Sequence, residues 1–102
     1  MLTDPQKAVM KHLEDQPRTV TDLVSFLNAD EKRAYVGDAA RSYSAGRRRA
    51  KANDWVPKWN YDRAHNVLRR LEDRLLVRRY GDRPCYWELT SRGRKEYALS
   101  LA

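Results

Sequence analysis

Residues 60–90, NYDRAHNVLRRLEDRLLVRRYGDRPCYWELT, decide the fold, because their hydrophobic period changes from that of a helix to that of strands. Apolar residues first recur at spacings of four and three, namely Ala64, Leu68, Leu71 and Leu75. This period predicts an amphipathic helix over about 60–76, with one buried side and one polar, Arg-rich side.

The second half of this stretch predicts a β-hairpin. Two β-prone runs, LVRRY at 76–80 and CYWEL at 85–89, flank the turn-forming residues GDRP at 81–84. We therefore expect a hairpin over 76–89. Thr90 is then suited to cap a short last helix over about 91–101.

The N-terminal part of the chain predicts two further helices. The first covers about 4–15 and is capped either by Thr3 or by Asp4. The second starts after Thr19 and is expected to stop at Asn28.

Residues 29–58 are an insertion between the second and third predicted helices. Residues 31–45 carry apolar side chains at helical spacing, so part of the insertion is predicted to be helical. Basic residues follow almost without interruption: Arg47, Arg48, Arg49 and Lys51. Trp55 or Trp59 is expected to anchor the returning chain in the core.

The charge distribution points to a polyanionic partner. The net charge is +7, and residues 29–84 hold all of this excess, with 15 Lys and Arg against 8 Asp and Glu. Nucleic acid is the first candidate and an anionic membrane surface the second. We expect no membrane association, because no long amphipathic helix and no apolar run of about 20 residues is present. A single cysteine, Cys85, excludes a cysteine-rich zinc site, and we expect a cytoplasmic protein.

No pattern of catalytic residues is present. His12 and His65 lack partners at metal-ligand spacing, and there is no phosphate-binding glycine loop or nucleophile motif. We therefore expect neither an enzyme nor a metal site nor a cofactor.

The order of elements resembles a winged helix-turn-helix domain. TVTDLVSFL (19–27) resembles the helix before the turn, and VLRRLEDRLLVRR (67–79) resembles a recognition helix entering a wing strand. YWELTSRGR (86–94) is similar to the Leu-Thr-x-x-Gly segment of MarR-like, PadR-like and related archaeal or bacterial regulators. The resemblance covers about 70 residues, all except the insertion. It implies a single α+β domain over 1–102, with a three-helix core, a β-hairpin wing and a short C-terminal helix.

Two features depart from this family. Leu75 stands where these families usually have glycine, so the third helix is expected to run longer. The insertion also replaces a turn that ordinarily has three or four residues.

The resemblance implies sequence-specific binding of double-stranded DNA by a transcriptional regulator at the nucleoid. Helix 60–76 would enter the major groove, and wing 76–89 would follow the backbone or minor groove. The base-contacting candidates are Asn60, Tyr61, Arg63 and Asn66. The phosphate and wing candidates are Arg47, Arg48, Arg49, Lys51, Lys58, Arg69, Arg70, Arg78, Arg79 and Arg83. The terminal helices are the candidate homodimer surface, with a monomer as the alternative.

Two other functions fit the same fold. Asp62 and Asp73 count against DNA contact, because each would repel a nearby phosphate. One alternative is a winged helix used for protein–protein interaction, with the basic insertion docking on an acidic partner. A DNA binder without sequence preference, architectural or associated with replication, is the other alternative.

Overall fold

In the residues that the structure describes, the chain has an α+β fold of four helices and one two-stranded antiparallel hairpin. The computed structural model describes residues 1–44 and 55–102, with residues 38–44 as backbone alone. The elements in chain order are α1 (Asp4–Leu13), α2 (Val20–Ser44), α3 (Tyr61–Asp73), β1 (Val77–Tyr80), β2 (Tyr86–Leu89) and α4 (Ser91–Ser100). Within the described ranges, no helix combines the length and apolar character needed to cross a membrane.

Helix α1 begins with a reciprocal cap. The Thr3 hydroxyl accepts a hydrogen bond from the Gln6 backbone N–H at 3.3 Å, and the Gln6 side chain accepts one from the Thr3 N–H at 3.0 Å. Of the two predicted starts, Thr3 is therefore the one used, and Asp4 occupies the first turn. An acidic side chain there is favourable, because it faces the positive end of the helix dipole.

The predicted stop of the second helix at Asn28 is wrong. Helix α2 continues through this residue to Ser44, so the helix predicted at 31–45 is the second half of α2. The Asn28 amide does not compete for the helix backbone, because it bonds the backbone of Trp59 through both its oxygen and its nitrogen, each at 3.0 Å. The following residues favour a helix as far as Gly37, which an α-helix tolerates at a cost of about 1 kcal/mol.

The core lies between the first three helices, the hairpin and α4. Its buried hydrophobic residues are Leu2, Val9, Met10, Leu13, Val20, Leu23, Leu27, Trp59, Ala64, Leu68, Leu71, Leu76, Val77, Trp87, Leu89 and Tyr97. The predicted buried side of α3 is confirmed, except that Leu75 is exposed. Trp59 is confirmed as the anchor of the returning chain, and Trp55 is half-buried.

The expectation of a longer third helix is also wrong. Helix α3 ends at Asp73, and Leu75 adopts the left-handed conformation with φ +62° that glycine usually occupies. The N–H groups of Leu75 and Leu76 bond the carbonyls of Glu72 and Leu71 at 2.9 and 3.0 Å. This is the Schellman pattern of a helix C-terminus, which needs a left-handed residue at this position.

A short segment at Arg18 pairs with the outer side of the hairpin like a third strand. Val77 pairs with Leu89, and Tyr80 with Tyr86. Arg18, in the connection between α1 and α2, exchanges two backbone hydrogen bonds with Trp87 at 2.9 and 2.8 Å. Strand β2 is thus paired on both sides.

Helix α4 approaches the end of α3 closely at Gly93. A Cβ at this position would lie 1.9 Å from the Leu76 carbonyl oxygen. Thr90 caps α4 by accepting a hydrogen bond from the Gly93 N–H at 3.0 Å. Its own N–H donates to the same Leu76 carbonyl at 3.0 Å. The Leu-Thr-x-x-Gly segment is therefore a cap combined with a close backbone contact.

Candidate nucleic-acid interface

The solvent side of α3 is a polar surface opposite its buried residues. Its exposed members, which together we call the α3 face, are Asp62, Asn66, Arg69, Arg70 and Asp73. Amide and guanidinium groups on one helix side present the donors and acceptors that base edges and phosphates match. The two aspartates balance the charge of the two arginines, so the face as a whole is polar and of mixed sign.

The hairpin lies along one flank of the α3 face. Arg79 on β1 pairs with Glu72 on α3, with an N–O distance of 3.3 Å. The His65 ring meets the Trp87 ring edge-on, with centroids 6.0 Å apart, and stacks on Tyr61 at 5.7 Å. These contacts hold the hairpin against the helix, so the two surfaces are presented together.

A cleft of about 450 Å³ lies between the start of α2, the flank of α3 and the hairpin. Helix α2 and its cap contribute Thr19 and Thr21, and α3 contributes Tyr61 and His65. Arg79 lines the cleft from the hairpin. The positive end of the α2 dipole favours an anionic group here, whereas Asp82 also lines the cleft and Arg79 is paired with Glu72.

Three of the four predicted base-contacting residues have structural partners, since Tyr61 stacks on His65. The Asn60 side-chain oxygen caps α3 by accepting from the Arg63 N–H at 2.8 Å. The Arg63 guanidinium lies 4.0 Å from the centre of the Trp59 ring and donates to the Lys58 carbonyl at 3.3 Å. Tyr61 is exposed beside the cleft, and Asn66 is exposed on the α3 face. The structure therefore brings Tyr61 and Asn66 to the surface that the hairpin flanks.

The predicted phosphate contacts divide into three groups. Within the part of the chain that the structure describes, Lys58, Arg69, Arg70 and Arg83 are exposed and form no ion pair. Two arginines are engaged with acidic residues: Arg78 with Glu88, and Arg79 with Glu72. The remaining candidates lie outside the described residues: Arg47, Arg48, Arg49 and Lys51.

The start of α2 lines the cleft beside the hairpin. This position of α2 was not predicted from the sequence. Thr19 accepts a hydrogen bond from the Asp22 N–H at 3.2 Å, and Thr21 is exposed at the cleft. The helix-start pattern at Thr19 was the available signal. Its proximity to the hairpin follows from the pairing of Arg18 with Trp87, which no local pattern indicates.

A separate charge cluster lies between α1 and α2. His12 Nε2 is 2.7 Å and Lys11 Nζ 3.8 Å from Asp30 Oδ2, and Arg33 pairs with the other oxygen. Burial raises the pKa of Asp30, but the hydrogen bond with His12 and the surrounding positive charges outweigh burial. The pKa of Asp30 therefore lies below its ordinary value. This cluster stabilises the packing of α1 on α2 and contributes no residue to the cleft.

Comparison of the sequence with known proteins gives no assignment. No protein-family model matches the chain, and no curated protein matches it. The chemistry of the α3 face, the hairpin and the cleft is therefore the basis for a functional proposal.

Proposed function

We propose that this chain is a winged helix-turn-helix domain that binds double-stranded DNA with sequence preference and regulates transcription. In this proposal α3 enters the major groove and the hairpin is the wing. The start of α2 approaches the phosphate backbone beside the cleft. Asn66 and Tyr61 contact bases, and Arg69, Arg70 and Arg83 contact phosphates.

One observation carries the proposal: an exposed helix side with Asn66, Arg69 and Arg70 lies beside a hairpin that bears Arg83 at its turn. A helix fits the width of the major groove, and an adjacent hairpin reaches the neighbouring backbone or minor groove. Residues 59–84 carry seven Lys and Arg against four Asp and Glu, which supports attraction to phosphate.

The acidic residues of the α3 face support a second candidate. Asp62 and Asp73 flank Asn66 and Arg69 on the exposed side, and each repels a nearby phosphate. A winged helix that docks on a protein partner of mixed charge accommodates both signs. This alternative predicts no duplex binding even at low salt.

The test is a titration of random and selected duplexes with the full chain at several salt concentrations. Replacing Arg69 and Arg70 with alanine is expected to weaken binding to all duplexes. The slope of log affinity against log salt should fall by about 0.9 for each phosphate that is no longer neutralised, or about 2 in total. The matched control replaces Arg92 and Lys95, two exposed cations of α4 outside the cleft and the α3 face.

Sequence preference is tested by enrichment of sites from a random duplex pool. A consensus site that Asn66→Ala no longer distinguishes supports base contact, with a discrimination of about 1–3 kcal/mol removed. Binding without any consensus supports the non-specific alternative. Equal weakening by the α3 pair and the α4 pair would contradict the assignment of the α3 face.

A further inference from the structure

The hairpin has a second face, opposite to the one that packs on the core. Side chains alternate between the two faces of a strand. Trp87 on β2 is buried in the core, and Arg79, its partner on β1, lies over its ring. The residues of both strands on the opposite side, which together we call the tyrosine face, are Arg78, Tyr80, Tyr86 and Glu88. None of them lines the cleft or belongs to the α3 face.

Two tyrosine rings form an open stack at the end of this face that adjoins the turn. Tyr80 and Tyr86 are the last cross-strand pair before the turn, and their ring centroids are 5.7 Å apart with planes inclined by 26°. Tyr86 is half-buried, whereas Tyr80 is 48% exposed. An aromatic cross-strand pair stabilises a hairpin, but this contact uses only one face of the Tyr80 ring. The rest of the ring is open to solvent.

The tyrosine face continues into a basic pocket where the hairpin meets α4. This pocket has a volume of about 390 Å³ and is lined by Arg78, Glu88, Leu89, Thr90, Ser91 and Arg94. Arg78 is paired with Glu88. Arg94 donates a hydrogen bond to the Glu14 carbonyl at 3.0 Å and, among the described residues, pairs with no carboxylate. The pocket therefore has one positive charge that no acidic side chain neutralises.

An open aromatic ring close to unpaired arginines fits an unpaired nucleotide strand. The bases of a duplex stack on one another, so only a single strand offers a free base to the Tyr80 ring. Arg94 in the pocket and Arg83 at the turn match the charge of its phosphates. An apolar protein segment would cover the ring but would leave both of these charges unmatched. Asp82, the acidic residue of the turn, lines the cleft instead.

We propose that the tyrosine face binds an unpaired strand of nucleic acid, with a base stacked on Tyr80 and a phosphate of the same strand held by Arg94. Stacking accepts any base, because every base has an aromatic face, so this binding has little sequence preference. The site lies apart from the α3 face and the cleft. It adds single-strand binding to a chain for which duplex binding is proposed.

The first test measures the binding of fluorescently labelled oligothymidylate, about eight nucleotides long, by anisotropy at low salt. We expect saturable binding by the full chain. Tyr80→Leu should weaken this binding about tenfold, because leucine packs beside Tyr86 but offers no aromatic surface for stacking. Tyr80→Phe keeps the ring and should retain the affinity of the parent. Circular dichroism establishes that each variant is folded.

Matched controls locate the site. Tyr61 is another exposed tyrosine stacked on a ring, but it lies beside the cleft, so Tyr61→Leu should leave the affinity for oligothymidylate unchanged. Arg94→Gln should lower the slope of log affinity against log salt by about 0.7, the value for one phosphate of a single strand. Lys95→Gln should not change the slope, since Lys95 is exposed on α4 but does not line the pocket.

Crosslinking gives a second measurement on the unaltered protein. An oligonucleotide in which iodouracil replaces thymine, irradiated in complex with the full chain, should form its crosslink at Tyr80 or Tyr86. Comparison with an oligouridylate of the same length distinguishes DNA from RNA as the source of the strand. Either strand supports the site if Tyr80→Leu weakens its binding.

Several results would overturn the proposal. These are no saturable binding of either strand at low salt, an affinity that Tyr80→Leu does not change, and equal weakening by Tyr80→Leu and Tyr61→Leu. Crosslinks confined to α3 would overturn it as well. Replacing Arg69 and Arg70 with alanine should weaken duplex binding and leave oligothymidylate binding unchanged, so the two proposals fail independently.

Discussion

Leu75 provides a sharp test of the backbone after α3. It has φ +62°, and its side chain is 64% exposed. A residue with a Cβ in this conformation places that atom close to its own carbonyl oxygen, whereas glycine does not. We predict that Leu75→Gly gives a more stable protein than Leu75→Ala.

The magnitude follows from two opposing contributions. Removing Cβ from a left-handed residue relieves about 1–2 kcal/mol of steric strain. Glycine also loses more backbone entropy on folding than alanine, at a cost of about 0.4–1 kcal/mol. Alanine and glycine lack the leucine side chain equally, so the partial burial of Leu75 cancels in the comparison. The glycine variant should therefore be more stable by about 1 kcal/mol, or about 4–8 °C in melting temperature.

The assay is urea unfolding followed by tryptophan fluorescence, since Trp59 and Trp87 are buried in the folded chain. The matched control is the alanine and glycine pair at Arg69, an exposed position inside α3. There glycine should be less stable than alanine by about 1 kcal/mol. The prediction is thus a reversal of sign between positions 69 and 75.

The prediction would be refuted if the alanine variant were more stable than the glycine variant at both positions 69 and 75. If alanine is more stable than glycine at position 75 as well, Leu75 has negative φ in solution. The Schellman ending of α3 would then be incorrect, and the helix would continue toward Val77.

Three other substitutions test the packing around this site and the contacts of α2. Gly93→Ala should destabilise the fold by about 1–3 kcal/mol, because its Cβ would overlap a backbone carbonyl at 1.9 Å. Asn28→Ala should cost about 1–3 kcal/mol, because it leaves the N–H and C=O of Trp59 without their partner. Asp30→Asn should destabilise the protein at neutral pH. Its effect should fade below about pH 3.8, because a carboxyl with a lowered pKa in the folded state no longer stabilises the fold once the pH falls through that pKa.

Each prediction is tested by measuring the free energy of unfolding of the variant and of the parent. Gly37→Ala is the control for Gly93, since no atom lies within 4 Å of a Cβ there, and it should be neutral or stabilising. An Asn28→Ala variant as stable as the parent would contradict the bonds to Trp59. A constant effect of Asp30→Asn between pH 7 and pH 2 would contradict a lowered pKa.

Much of the element order could be predicted from local patterns. The spacing of Ala64, Leu68 and Leu71 identified the buried side of α3, and the turn residues 81–84 identified the hairpin. The predicted cap Thr90 identified the start of α4, and the alternatives Thr3 and Asp4 placed the start of α1 within one residue. These features could be predicted because each depends on residues within a few positions of one another in the sequence.

The errors arose where distant residues decide the local structure. Asn28 is a common helix-ending residue, yet α2 continues because its amide is held by Trp59, 31 positions away. Leu75 continues the apolar spacing of α3, yet the chain makes a left-handed turn at this residue. Thr90 and Gly93, which are distant in sequence, pack against the chain that follows α3.

The same division applies to the candidate site. The sequence by itself determined a basic chain with a polar, Arg-rich helix followed by a hairpin. Only the tertiary structure decided that Arg63 stacks on Trp59, that His65 contacts Trp87, and that the start of α2 joins the cleft. The physical reason is that a side chain's partners depend on which elements meet in the core, and helical period alone carries no information about them.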